Sequence, residues 1–369
     1  MRREIGNRLA EWYAVHARRL PWREAEPGRD RPDPYRVWIS EIMLQQTRVE
    51  AVREYYRRFL GRLPDVGSLA AVPEDELMKL WQGLGYYNRA RNLQKAACVI
   101  RDEYDGRFPD QYEVLLTLPG IGEYTAGAIA SIAFGQEVPA VDGNVYRIYS
   151  RLMEDDSDIT RTATRRRVWQ EVKDIIPSGQ AGQVNQAWMD LGATICLPNG
   201  QPHCEQCPLR QDCLAGQHGT WMDYPVKPQK KQRQIQDRTV FLLEYGGRYL
   251  LQKRPPRGLL AGLWEFPSQE GRLEPEQVGR YLAQWDLADT QIELLGAARH
   301  IFSHVEWHMT GYRIHLPQIP PALREGNGDG TSGRWVTPEE MEEQYSIPTA
   351  FRAYYEKIGG ESCITEQSK

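Results

Sequence analysis

The sequence predicts a multidomain protein. An all-α domain spans residues 1–225, followed by a linker (226–236), a smaller α/β domain (237–357) and a tail (358–369). Three observations carry that reading. Apolar residues in the first part recur at helical spacing, with little of the alternation that marks a half-buried strand. After Cys213 the composition shifts to "YPVKPQKKQRQIQD", which is polar, basic and proline-containing as an interdomain linker would be. Beyond it, "TVFLLEYGGRYLLQKR" places two β-prone runs around Gly246-Gly247, a hairpin signal.

Taken in order, Trp38, Ile39, Ile42 and Met43 form one helical stripe, and Val184, Ala187, Trp188, Leu191 and Ile195 another. Breaks such as "RFPD" and "EVPAVDGN" divide the helices. In the second domain "HMTGYRIHL" reads as a strand, Glu274 to Trp285 as a helix, and "GGESCITEQSK" as a frayed tail. With 369 residues, 41% of them hydrophobic, the chain can bury more than one core. It has no apolar run of about 18 residues, and its charged, amphipathic N-terminus lacks the apolar stretch of a signal peptide. A soluble, cytoplasmic protein is expected.

The net charge of −4 weighs only weakly against a nucleic-acid partner, because local arrangement decides such binding. Arg165, Arg166 and Arg167, with Arg161 just before them, form one basic run. Lys227, Lys230, Lys231 and Arg233 form another. Each reads on its own as a solvated face or linker.

Four of the six cysteines crowd together as C-x7-C-x2-C-x5-C: Cys196, Cys204, Cys207 and Cys213. A C-x2-C pair lets two thiolates from one turn face one metal centre, and two more complete a tetrahedral set. Disulfides are disfavoured in a reducing compartment. Four thiolates alone leave zinc and a 4Fe-4S cluster both open. Cys98 sits in a helical pattern as a small core residue, and Cys363 has no assignment.

Two acidic residues and one glycine-rich turn carry the functional signal. Glu41 lies in "WISEIML", where large apolar neighbours would favour its protonated form and make it a usable general acid. The alternative is a wet stripe, since Glu41, Gln45 and Arg48 are spaced to share one helix face. Asp142 precedes Gly143 and the helical run "NVYRIYSRLM", as an N-cap whose helix dipole keeps it ionised. An ionised carboxylate can also stabilise a nearby positive charge. In "LPGIGEYTAGAI", Gly120 and Gly122 permit φ values closed to other residues and let a phosphate approach closely. A helix starting near Glu123 or Tyr124 would point unpaired N–H groups at it. An ordinary helix-turn-helix corner remains the alternative reading.

"LPGIGEYTAGAI", then "VDGNVYRI", then the cysteine cluster together resemble the helix-hairpin-helix DNA glycosylase superfamily. Within it, "VWISEIMLQQTRVE", "WQGLGYYNRARNL" and "VNQAWMDLGATIC" resemble adenine DNA glycosylases of the MutY type. The resemblance runs from about Leu20 to Cys213 and resumes more loosely in the C-terminal domain. It departs in two places: the first cysteine gap is x7 where x6 is usual, and "REAEPGRDRPDPY" is longer than the usual link before the first catalytic helix. The hairpin is placed at about residues 112–131.

The resemblance implies a 4Fe-4S cluster on the four cysteines and double-stranded DNA carrying adenine opposite 8-oxoguanine as partner. It implies a monomer in the cytoplasm, associated with the nucleoid. Glu41 would protonate adenine at N7, and Asp142 would steady or transiently capture the sugar cation, assisted by Tyr124 and Asn144. Gly120 and Gly122 would hold DNA phosphate, as a helix N-terminus does without reading bases. The Tyr124 position holds a lysine in the endonuclease III branch, where its amine forms a Schiff base and the strand is cut. Tyrosine closes that route. Gln46 and Tyr86 would wedge beside the opposing base, with Leu44 also binding substrate, although Tyr86 and Tyr87 read by pattern alone as core aromatics. Trp22, Arg23 and Gln186 match the adenine pocket.

The C-terminal domain resembles a Nudix fold through "GLLAGLWEFP". The helix that should carry magnesium-binding glutamates reads "VGRYLAQWDL" instead, so pyrophosphate hydrolysis is not expected. Phe302, Ser303 and His304 in "RHIFSHVEW" match the loop that detects 8-oxoguanine. Serine and histidine can meet the lesion's extra N–H and exocyclic amine. By pattern alone they are a strand-end pair. Two rival functions remain: a pyrimidine glycosylase with lyase activity, and a non-catalytic cysteine-rich DNA-binding protein.

Overall fold

The computed structural model describes residues 2–25, 29–228, 232–283, 287, 290–324 and 333–358. Lys230, Lys231, Trp285, Cys363, and part of the "REAEPGRDRPDPY" link, lie outside them. The chain divides into two compact units, Met1–Val72 with Asn88–Gln229 and Pro73–Tyr87 with Lys230–Lys369.

The first unit opens with α1 (Arg2–His16), α2 (Pro34–Leu44), α3 (Val49–Arg62) and α4 (Val66–Ala71); α5 (Glu74–Trp81) belongs to the second. The first unit resumes with α6 (Asn88–Glu103), α7 (Tyr112–Leu115), α8 (Glu123–Ile132), α9 (Gly143–Met153), α10 (Thr162–Ile175), α11 (Ala181–Thr194) and α12 (Leu214–His218). Helix α2 starts where Asp33 accepts hydrogen bonds from the backbone N–H groups of Tyr35 and Arg36, with Pro34 preset for the first turn. From Tyr35 to Met43 only Arg36 escapes burial, so α2 is a central helix rather than an amphipathic surface one. Leu9, Val145, Ile148, Val172, Val184 and Trp188 join α1, α9, α10 and α11 in one core. A Cβ on Gly192 would lie 2.6 Å from that of Asn144, so only glycine lets α11 approach the start of α9 this closely. Among the described residues, no helix is long and apolar enough to cross a membrane.

The second unit is built on a mixed sheet of β1 (Gln234–Tyr245), β2 (Arg248–Lys253), β3 (Trp264–Glu265), β4 (Ser268–Glu270), β5 (Gln291–Ile301), β6 (Val305–His315) and β7 (Gly333–Val336). The order β3-β2-β1-β6-β5 runs antiparallel except between β1 and β6, with β4 on β1 and β7 on β2. Gly246 (φ 56°) and Gly247 (φ 75°) make the tight turn predicted between β1 and β2. Along β1, Val240 and Leu242 enter one core while Phe241 and Leu243 enter another, so helices α13 (Pro275–Ala283), α14 (Pro338–Gln344) and α15 (Arg352–Tyr355) have two faces to cover.

Residues 73–87 differ from the expected continuous helical domain over 1–225. Helix α5 buries Leu77, Met78 and Trp81 and pairs with the carboxyl-terminal chain. Lys79 Nζ donates to the Tyr345 carbonyl, Gln82 Nε2 to that of Ile347, and Ser346 Oγ to that of Met78, each at 3.1 Å. Lys253 meets Asp75 at 2.8 Å. Satisfying those loop carbonyls ties the segment to the second unit.

Candidate active site

Glu41 projects from α2 and is only 4% exposed. The wet-stripe alternative therefore fails: α2 ends at Leu44, so Glu41, Gln45 and Arg48 never share one helix. Burial raises the Glu41 pKa to about 7, against the Tyr124 hydrogen bond and the charge of Arg23, while Asp142 raises it further. Tyr124, in the first turn of α8, donates its hydroxyl to Glu41 Oε2 and has Met189 Sδ at 3.8 Å. Its phenol is held well above its ordinary pKa, chiefly by burial, so it serves as a donor.

Asp142 is the N-cap of α9, as expected. Oδ1 accepts from the backbone N–H groups of Asn144 and Val145 at 2.9 Å, and Oδ2 from the Asn144 side chain at 2.7 Å. The helix dipole does not by itself set the charge: burial pushes the Asp142 pKa up, against those hydrogen bonds and the charge of Arg147. Asn144 is braced by Arg147, whose guanidinium also donates to the carbonyls of Gly192 (2.8 Å) and Cys196 (3.0 Å).

Trp22, Arg23, Glu41, Gln186 and Met189 line one small cleft. Trp22 is buried edge-on against Tyr56. Gln186 donates to the Gly182 carbonyl of its own helix at 3.1 Å.

Leu44 ends α2, and Gln46 follows its C-cap. Leu44 is half-buried; Gln46 is exposed with φ at 60°, a conformation that costs a non-glycine residue energy. Arg89 holds this corner by donating to the carbonyls of Ile42 (2.6 Å) and Gln45 (2.7 Å). The hairpin follows Leu115. Gly120 has φ at 75°, and a Cβ there would sit 2.6 Å from Asn92. Gly122 differs from expectation: its backbone is extended, open to any residue, and a Cβ there would meet nothing within 4 Å. It caps α8 without a side-chain acceptor, so the first N–H groups of the helix keep their hydrogen-bonding capacity.

In the second unit, Phe302, Ser303 and His304 turn β5 into β6, closed by the Phe302 N–H donating to the Val305 carbonyl at 2.8 Å. Phe302 packs edge-on against Trp307 at 4.9 Å, while Ser303 and His304 are exposed. The Ser303 and Tyr86 hydroxyls are hydrogen-bonded at 2.9 Å. Tyr86 has φ at 48° and is 53% exposed, whereas Tyr87 is buried, so the pattern reading holds for Tyr87 alone.

The four clustered cysteines all line one cavity, with Ile148, Arg151, Leu209 and Trp221, and none is in a disulfide. The extra residue in the first gap therefore leaves them together. Among the described residues no three His, Cys, Asp or Glu side chains converge as a single ion requires. Four thiols around one cavity are a donor set suited to a metal ion or cluster. Arg151 supplies a cation beside them, donating to Cys196 Sγ at 3.2 Å and to the Leu197 carbonyl at 2.9 Å.

Sequence reasoning missed Asp190, Arg89, Arg147 and Arg151. Each is a charge set among apolar or helix-forming neighbours, a weak signal that only a fold can direct to its partner.

Comparison with known proteins places these features. A profile described as HhH-GPD superfamily base excision DNA repair protein matches residues 39–174, and one described as NUDIX domain matches 239–357. The adenine DNA glycosylase of Mus musculus is 35% identical over 90% of this chain and 74% of its own length. That of Homo sapiens is 34% identical over 96% and 73%. That of Buchnera aphidicola (strain APS) is 34% identical over 86% and 89%. Among solved structures, a thermostable thymine-DNA glycosylase superposes with a TM-score of 0.52 at 28% identity, covering 59% of this chain and 97% of its own.

Proposed function

This chain belongs to the adenine DNA glycosylase family, and on that premise we propose that it removes adenine paired with 8-oxoguanine in duplex DNA and leaves the strand uncut. The reaction is hydrolysis of an N-glycosidic bond, and its two needs are a proton for the departing purine and an anion for the sugar. The observation that carries the proposal is Glu41, buried with a pKa of about 7 on the wall of a small cleft, with Tyr124 and the charge of Asp142 beside it.

The everted adenine enters the cleft of Trp22, Arg23 and Gln186. Glu41 gives its proton to N7, and the glycosidic electrons leave with the purine. Asp142, held by Asn144 and the start of α9, steadies the oxocarbenium ion. Water adds to C1′ and its proton passes to solvent, from which Glu41 is reprotonated, giving free adenine and an abasic sugar. Tyr124 hydrogen-bonds Glu41 rather than Asp142, so its assistance passes through the acid. "LPGIGEYTAGAI" contains no lysine, so no amine there can form a Schiff base. Gly120 and Gly122 present backbone N–H groups to a DNA phosphate. Leu44 and Gln46 fill the space the adenine leaves. In the second unit Tyr86 stacks beside the opposing base, and Ser303 and His304 offer polar groups to 8-oxoguanine.

Cys196, Cys204, Cys207 and Cys213 would hold a 4Fe-4S cluster, which when bound braces the loop between α11 and α12. Arg151 and Arg147 would order that loop from α9.

A duplex with one adenine–8-oxoguanine pair tests the reading. Strand breaks are expected only after alkali, at the adenine. Breaks without alkali, or no adenine release by folded protein, overturn it.

A further inference from the structure

Asp190, on α11, is a fully buried carboxylate that the proposed chemistry leaves unused. Its oxygens are saturated. Oδ1 accepts from Arg18 Nε (2.7 Å) and Arg23 Nη2 (2.9 Å), while Oδ2 accepts from Arg23 Nη1 (2.7 Å) and the Arg18 backbone N–H (3.1 Å). The contact with Arg23 is a two-pronged fork, the geometry that fixes a guanidinium plane most firmly. Arg23 Nη1 also donates to the Arg18 carbonyl at 3.3 Å, and the guanidinium lies over the Tyr13 ring at 5.4 Å. Arg23 is thus tied to α11, α1 and the chain before the cleft, and it lines the cleft that Glu41 also lines.

That arrangement presents an electrostatic conflict. A guanidinium beside a carboxyl group favours the ionised carboxylate, but a general acid must keep its proton. Resting on the adenine-excision reading above, we propose that Asp190 is a positioning residue that fixes Arg23 against the adenine pocket and offsets its charge, so that Glu41 stays protonated at neutral pH. Arg23 is only 12% exposed, so solvent screens it weakly and a fixed, buried anion is the stronger offset. Asp190 is suited to remain that anion: burial opposes its charge, but the Arg23 hydrogen bonds and charge, with Arg18, hold its pKa below the ordinary value. Arg23 in turn stays charged, the Asp190 contacts outweighing its burial. The other groups facing the pair are known. Glu41 also meets Tyr124 from α8 and the charge of Asp142 from the start of α9. Asp190 and Arg23 also meet Tyr13 from α1, whose phenol burial holds neutral.

The discriminating measurement is the pH profile of single-turnover adenine release. Wild-type protein should lose activity on the alkaline side as Glu41 deprotonates. Asp190→Asn keeps the shape but removes the offsetting charge. Its alkaline limb should move to lower pH by roughly 0.5–1 unit, and release at pH 8 should fall about 2–5-fold more than at pH 6. Asp190→Glu restores the carboxylate, and its limb should return to the wild-type position even where its rate is lower. An Asp190→Asn protein that loses the same factor at every pH, with its limb unmoved, makes Asp190 merely structural and overturns the proposal. Should Asp190→Asn not fold, a limb displaced downward in Asp190→Glu, which keeps the charge, overturns it equally. Failure of the excision reading is separate, since it appears as wild-type protein that releases no adenine at any pH.

Discussion

The proposed excision site and the proposed reading loop differ in their exposure to water. In the helical unit the reactive groups are withdrawn from water: Glu41 and Asp190 are buried, and Asp142 is wrapped by its own helix start. In the second unit Ser303 and His304 stand in solvent on the turn between β5 and β6, and Tyr86, after α5, is exposed beside Ser303. Proton transfer at neutral pH needs a carboxyl group whose pKa is lifted by desolvation, while recognition needs donors and a ring face that a partner can reach. Burial in one place and exposure in the other each suit the task proposed for that region.

The sharpest way to break that contrast is at the carboxylates. Glu41→Gln should lower adenine release by about 10²–10⁴-fold, and Asp142→Asn by about 10²–10³-fold, with DNA affinity nearly unchanged in both. Single-turnover release and a binding titration on the same duplex measure the two effects, and a near wild-type rate in either variant removes that residue from the chemistry.

Next in size is a cost to stability. The folded pKa of Glu41, about 7, stands above its ordinary 4.5. Its contribution is therefore complete below pH 4.5 and is lost as pH rises through 7. Glu41→Gln should match wild type near pH 4.5 and exceed it at pH 8 by up to about 3 kcal/mol, read by denaturant unfolding at both pH values. Equal stability at pH 8 would mean that the acid is not held against its charge.

The exposed region should answer with smaller changes. Tyr86→Ala should weaken binding to the mispaired duplex by about 1–3 kcal/mol through lost stacking. Ser303→Ala with His304→Ala should reduce the preference for adenine opposite 8-oxoguanine over adenine opposite guanine roughly 5–10-fold, as one or two hydrogen bonds would. An unchanged ratio of the two rates would place lesion reading elsewhere.

Much of this was legible in the chain. "WISEIML" announces a carboxyl group among large apolar side chains, and Asp142 before "GNVYRIYSRLM" announces a cap; both are local patterns. The hairpin at Gly246-Gly247 is equally local, because turn geometry is set by the residues in it. Gly122 shows the limit: its neighbour Gly120 needs a positive φ, but Gly122 itself is extended. The membership of residues 73–87 was not legible, because the carbonyls that bind α5 belong to residues 345–347. Nor was Asp190, whose partners lie at positions 18 and 23.

By itself, then, the sequence determined the helices, the hairpin, the cysteine spacing and the residue types that chemistry at a glycosidic bond requires. Short-range sterics, capping and hydrophobic periodicity fix these within a few residues. Only the tertiary structure decided which charges meet: Arg23 on Asp190, Tyr124 on Glu41, Arg147 between Asn144 and Cys196, Tyr86 on Ser303. A charge's protonation and orientation depend on what lies within a few ångströms of it, and that is set by the folding together of distant segments.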